Sequence, residues 1–139
     1  MRRAAALAAS LVLSISTLHL VPAHAWNQST FGALALTGSG GDLVYGSAID
    51  SSGNIYMAGT ITGYMDADPS PTSDVTLTSA GGSDVFVTKY NSNGEYIWAK
   101  QFGTTSNDYA YEIDVDSAGN VYITGTFQNT VDFDPGAGT

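Results

Sequence analysis

Two hydrophobic patterns divide the chain. From Ala4 to Val21 the residues are almost continuously apolar, behind a short basic start at Arg2-Arg3 and ahead of Pro22 and Ala23-His24-Ala25. A positive segment, an apolar segment and a small-x-small site are the marks of a secretory signal peptide, so residues 1–25 are expected to be removed after Ala25. Beyond them the apolar residues never repeat every 3.6 positions. They fall in short runs separated by Gly, Asn, Asp and Ser, which is the pattern of strands joined by turns. The expected strands are 45–50, 54–60, 84–90, 95–102, 109–116 and 120–127, with 26–32 as a further trailing strand. Ser51-Ser52-Gly53, Asn91-Ser92-Asn93-Gly94 and Ser117-Ala118-Gly119 are the hairpin turns, each with a Gly for positive φ. Both faces of several strands carry apolar side chains: Val85 and Val87 oppose Phe86 and Tyr90, and Val121 and Ile123 oppose Tyr122. Tyr96, Trp98 and Phe102 are expected on one face, with Ile97 and Ala99 on the other. Such a sheet needs covering on both sides.

The chain also repeats itself. At an offset of 66 residues, Asp42–Pro69 aligns with Asp108–Pro135 without gaps, and 12 of 28 positions are identical. They include Asp42/Asp108, Tyr45/Tyr111, Asp50/Asp116, Gly53/Gly119, Asn54/Asn120, Tyr56/Tyr122, Gly59/Gly125, Asp66/Asp132, Asp68/Asp134 and Pro69/Pro135. A period of this length made of short strands implies stacked copies of one unit. The fold class is therefore all-β and antiparallel, with four-stranded propeller-type blades and a β-sandwich as the alternative.

Composition narrows the chemistry. The chain carries 4 basic and 13 acidic residues, a net charge of −9. Without the leader, Lys89 and Lys100 face all 13 acids, and no His, Arg or Cys remains. Ser-His-Asp and Cys-His catalysis, Cys/His zinc sites and disulfides are excluded. Two lysines also cannot neutralise a nucleic-acid backbone, so no nucleic-acid partner is expected. No membrane span is expected after signal cleavage.

At this point the residues resemble a known family. Gly81-Gly82-Ser83-Asp84-Val85-Phe86-Val87-Thr88-Lys89-Tyr90, then Gly94, Trp98-Ala99-Lys100-Gln101-Phe102-Gly103, resemble the SBBP repeat, a β-propeller repeat of bacterial secreted and surface proteins. The likeness continues through Asp108-Tyr109-Ala110, Val115–Gly125 and Val131–Pro135. The resemblance implies four-stranded blades in a secreted propeller and no enzymatic activity. Residues 26–139 then form the repeat segment, with a full unit at 42–107 and a partial unit at 108–139. That is about one and a half repeats. A closed propeller takes four to eight blades, so the segment is expected to be an N-terminal fragment of a longer repeat protein, or to self-associate through exposed blade edges.

Candidate chemistry is sparse. Asp66 and Asp68, recurring as Asp132 and Asp134, alternate in Asp-x-Asp-Pro loops and are the candidates for Ca²⁺, which favours carboxylate and carbonyl oxygens. The competing reading is that they cap backbone N–H groups in turns. Asp50–Asn54 and Asp116–Asn120 are better read as hairpin turns than as calcium loops. Glu95 and Glu112 do not recur, which weakens a glycosidase carboxylate pair. Lys89 and Lys100 are read as stems packed on blade faces rather than as half of a Ser-Lys dyad. Gly38-Ser39-Gly40-Gly41 is read as a loop, and Tyr64 as an unexplained loop aromatic. The expected function is non-catalytic recognition or scaffolding on a protein or carbohydrate surface ligand, in a secreted, periplasmic or cell-surface setting. A calcium-stabilised adhesive module and part of a larger polysaccharide-acting propeller enzyme are the alternatives.

Overall fold

The computed structural model describes residues 34–134. The signal peptide and the strand expected at 26–32 lie outside the described residues. Seven strands and no helix occur among them: β1 (Thr37–Ser39), β2 (Leu43–Ile49), β3 (Ile55–Asp66), β4 (Thr76–Tyr90), β5 (Tyr96–Phe102), β6 (Tyr109–Val115) and β7 (Val121–Thr126). All pairings are antiparallel. β2, β3, β4 and β5 form a four-stranded meander, which is one blade. β6 and β7 form a separate two-stranded sheet that repeats its first half.

The repeat is exact at the level of register. Leu43 pairs with Thr60 and Ile49 with Ile55, while Tyr109 pairs with Thr126 and Val115 with Val121. Each pair of strands slips once, between Val44 and Gly46 and between Ala110 and Glu112. The skipped residues are the repeated tyrosines Tyr45 and Tyr111, whose rings meet edge to face at 6.4 Å. An extra residue in one strand of a pair is a β-bulge, which twists the strand and turns its side chain away from the ladder.

β6 packs on β2 and β3 and reaches β4. The blade face turned toward β6–β7 is called here the outgoing face. Tyr56, Ala58, Val85 and Val87 are buried on it against Ala110 and Ile113, and Ala48, Trp98, Phe102, Val121 and Ile123 pack around them. The opposite face holds a second core of Ile61, Met65, Ala67 and Phe86, covered by Leu36, Val75 and Leu77. The sheet thus buries apolar side chains on both sides, as its two-sided pattern predicts, while Leu43, Val44 and Ile49 of β2 stay exposed among the described residues. Sheets stacked as successive copies of one meander, with open edges, form an incomplete propeller.

Four sequence expectations change. Tyr96 leaves the face of Trp98, because β5 bulges at Ile97: Lys89 pairs with Trp98 but Tyr90 pairs with Tyr96. Tyr96 therefore joins the second core and meets Tyr90 edge to face. Tyr64 lies within β3, paired with Ser39 and Thr78, rather than in a loop. Gly38-Ser39 belongs to β1, and only Gly40, with φ of 104°, and Gly41 form the bend. Finally, β3 and β4 run well past the blade as a long hairpin to which β1 adds a third strand.

Candidate functional site

The polar side chains sort into three groups by what they hold. The first is the turn aspartates. Asp50 Oδ1 accepts the N–H groups of Ser52 and Asn54, at 2.9 and 3.0 Å. Its Oδ2 accepts the Asn54 amide at 2.7 Å and the Tyr56 hydroxyl at 3.1 Å. Gly53 closes the turn with φ of 81°. Asp116 repeats every one of these bonds with Ala118, Asn120 and Tyr122. The Asn54 amide, with the other donors, holds the Asp50 carboxyl down to about 2. The Asn120 amide lowers Asp116 in the same way. Lys89 Nζ lies 3.7 Å from Asp50 Oδ2 and 4.8 Å from the centre of the Tyr56 ring. Its stem is therefore packed and its charge partnered.

The second group is the Asp-x-Asp-Pro loops. Asp66 ends β3, and its Oδ1 accepts the N–H groups of Asp68 at 3.0 Å and Val75 at 2.9 Å. The Val75 donor foremost keeps this carboxyl below the usual carboxylate range. Asp68 Oδ1 accepts the Ser70 N–H at 2.9 Å, and Asp132 Oδ1 accepts the Asp134 N–H at 2.8 Å. Asp66 and Asp68 lie together in one loop, and Asp132 and Asp134 in the loop after β7. The structure does not bring the two pairs into one cluster. Among the described residues no group of three or more His, Cys, Asp or Glu side chains converges as a metal ion would need. The first loop is tied into the second core, where the buried Tyr90 hydroxyl donates to the Ala67 carbonyl at 2.7 Å. Burial pushes that hydroxyl up to about 12.

The third group, Asp84 and Asp108, carries roles that the sequence does not show. Both are fully buried. Asp108 Oδ2 accepts the Thr104 N–H at 2.8 Å and its Oδ1 accepts the Gln128 N–H at 2.6 Å. It thereby joins the segment leaving β5 to the segment leaving β7, and so ties one blade to the next. Its repeat partner Asp42 caps Thr62, the counterpart of Gln128. Asp84 Oδ2 accepts the Ala80 N–H and the Gln101 amide, at 2.9 and 2.8 Å. Gly81 and Gly82 have no side chains because Thr105 and Asn107 of the connecting segment lie directly on them. The identity of Asp42 and Asp108 in the repeat was the available signal. Nothing local marks Asp84, whose partners lie up to 17 residues away.

Hollows formed by the described residues include the following three. One of about 130 Å³ lies at the junction of the two sheets, among Val87, Trp98, Lys100, Phe102, Val121 and Ile123. One of about 140 Å³ lies on the blade's opposite face, with Leu36, Leu43, Val44, Met57 and Phe86 in its wall. The third, of about 250 Å³, lies on the far side of β6–β7, between Glu112, Asp114, Tyr122 and Thr124. What recurs is architecture, and what does not recur, Glu112 and Asp114, faces solvent.

Comparison with known proteins agrees with this geometry. Residues 97–126 match the family model described as a beta-propeller repeat, SBBP. That span runs from the outermost strand of the blade through both strands of the next. Over 96 residues the chain is 28% identical to an uncharacterized WD repeat-containing protein of Acanthamoeba polyphaga mimivirus. The match covers 58% of this chain and 7% of that relative's length. The matched residues, the blade plan and the 66-residue register agree: residues 97–126 carry an SBBP-type β-propeller repeat.

Proposed function

We propose that this chain is a secreted or surface-exposed, non-catalytic segment of a propeller that works by recognition or scaffolding. One observation carries the reading. The recurring polar residues are spent on architecture: Asp50 and Asp116 build turns, and Asp42 and Asp108 cap strand ends, while the non-recurring Lys89 is packed on Tyr56. Chemistry available to a partner therefore lies with exposed residues that differ between repeats, as in other repeat scaffolds whose fold is held constant beneath a variable surface. The reading includes export, from the basic, apolar and small-x-small series in residues 1–25.

The test is binding by the exported chain. Intact mass of the exported protein is expected to show cleavage after Ala25. The same protein is then presented to an array of cell-surface polysaccharides and envelope proteins. Saturable binding that Tyr64→Ala or Glu112→Gln weakens, with the fold intact by circular dichroism, supports recognition. Turnover of any arrayed polysaccharide would overturn the non-catalytic reading. Calorimetry with millimolar Ca²⁺ belongs in the same series. Heat that is lost in Asp66→Asn would favour the calcium-stabilised module.

A further inference from the structure

The outgoing face of the first blade tolerates its neighbour because of what it lacks. A Cβ on Gly46 would lie 3.0 Å from the Ile113 nitrogen and 3.1 Å from the Glu112 Cα. The backbone of β6 therefore rests on the backbone of β2, and Ala48, Tyr56 and Ala58 complete the seat. Sixty-six residues on, the same register positions in the second repeat are Glu112, Asp114, Tyr122 and Thr124. Glu112 pairs across the strands with Thr124, and Asp114 with Tyr122, so all four share one face. That face is open: Tyr122 is 57% exposed where Tyr56 is 1%.

A glycine and an alanine have thus become two carboxylates at the closest point of blade contact. A successor whose inner strand resembles β2 or β6 would have to enter the volume of the Glu112 side chain. It would also strip water from two carboxylates without supplying a partner, which is strongly unfavourable. We propose that the outer face of β6–β7 docks a protein strand that presents a basic side chain to Glu112 and Asp114, and refuses an apolar β2-like strand at the spacing seen between β2 and β6. Charge complementarity selects the occupant. A second copy of this chain does not supply it, because β2 offers Val44, Ser47 and Ile49, and neither lysine lies on that strand. Lys89 is paired with Asp50, and Lys100 lines the hollow between the sheets. The inference rests on the recognition reading above. Its test involves only strand binding and assembly, so failure to bind polysaccharide leaves it standing.

Two probes test it on the full chain. The first is an extended peptide of alternating Lys and Thr, titrated at low salt. Saturable binding is expected to weaken at least tenfold in E112Q/D114N and to persist in D74N/E95Q, which removes the same charge elsewhere. Equal loss in both variants would show non-specific attraction to an acidic chain and overturn the proposal. The second probe builds the partner into the chain. Ser47 is exposed and occupies the register position of Ile113. Ser47→Lys therefore presents a base to Glu112 of another copy. Head-to-tail assembly by light scattering is expected at about 0.02 M salt, reversed at about 0.5 M where screening is short-ranged, and absent once E112Q/D114N is added. Assembly of the unaltered chain that Glu112→Arg abolishes would overturn the proposal, because the face would then accept an apolar β2.

Discussion

Asp50 shows how much one residue settles in this fold. Its carboxylate takes four donors and fixes turn, strand exit and the buried Tyr56 together. The carboxyl titrates at about 2 in the folded chain against 3.8 ordinarily. A depressed value contributes stability that is complete above the ordinary one and is lost as pH falls through the folded one. Thermal midpoints are therefore expected to drop between about pH 4 and pH 2, with Asp66 and Asp116 adding in the same direction. In Asp50→Asn the drop should be shallower when melts are followed by circular dichroism across that range. Asp84→Ala tests a buried carboxylate. It leaves the Ala80 N–H unpartnered and removes one of the two acceptors of the Gln101 amide, which keeps the Thr78 carbonyl, at about 2 kcal/mol in urea unfolding. The turn role of Asp50 was legible, since Asp-x-x-Gly-Asn is a local signal. The roles of Asp84 and Asp108 were not, because their partners are set by topology.

At the scale of elements, bulges decide what alternation cannot. The slip at Tyr45 brings the Leu43 carbonyl directly over Gly59, where a Cβ would meet it, and Tyr109 does the same to Gly125. Gly59→Ala is expected to cost about 3 kcal/mol by overpacking. Gly119→Ala tests the other use of glycine. No atom crowds it, but φ is +86°, so the penalty should be near 1 kcal/mol. Comparing the two by chemical denaturation separates contact from backbone strain. Six of the seven strands were legible in the apolar runs and the Gly turns. The facing of Tyr96 was not, because one extra residue at Ile97 inverts the pattern. The long ends of β3 and β4 were hidden for a related reason. Gly63, Gly81 and Gly82 lie between the expected strands 54–60 and 84–90, but here they are bulges and contact points within continuous strands.

For the whole molecule, the two sheets share no strand pairing and meet through a common buried cluster. Trp98 meets Tyr56 edge to face at 6.1 Å and sits over the cluster shared by the two sheets. Trp98→Ala is expected to cost about 3 kcal/mol. Its effect should fall first on β6–β7, read as faster amide exchange there than in β3 and β4. Stacking was legible from the 66-residue offset, which required copies of one unit. The partner chemistry of the last face was not, since Glu112 and Asp114 acquire meaning only opposite Gly46 and Ala48.

That same offset governs the order of assembly in time. Every pairing within the blade joins strands that are neighbours in sequence, closed by short turns at 50–54 and 91–95 and by the longer loop 67–75, so each hairpin forms at a small loop-closure cost. The contact of Tyr45 with Tyr111 spans a whole repeat. A chain leaving the ribosome would complete the meander of β2 to β5 before β6 and β7 exist to cover it. For that interval Trp98, Val85 and Val87 stand bare, and the lag between one repeat and the next becomes the period in which wrong partners must be kept away.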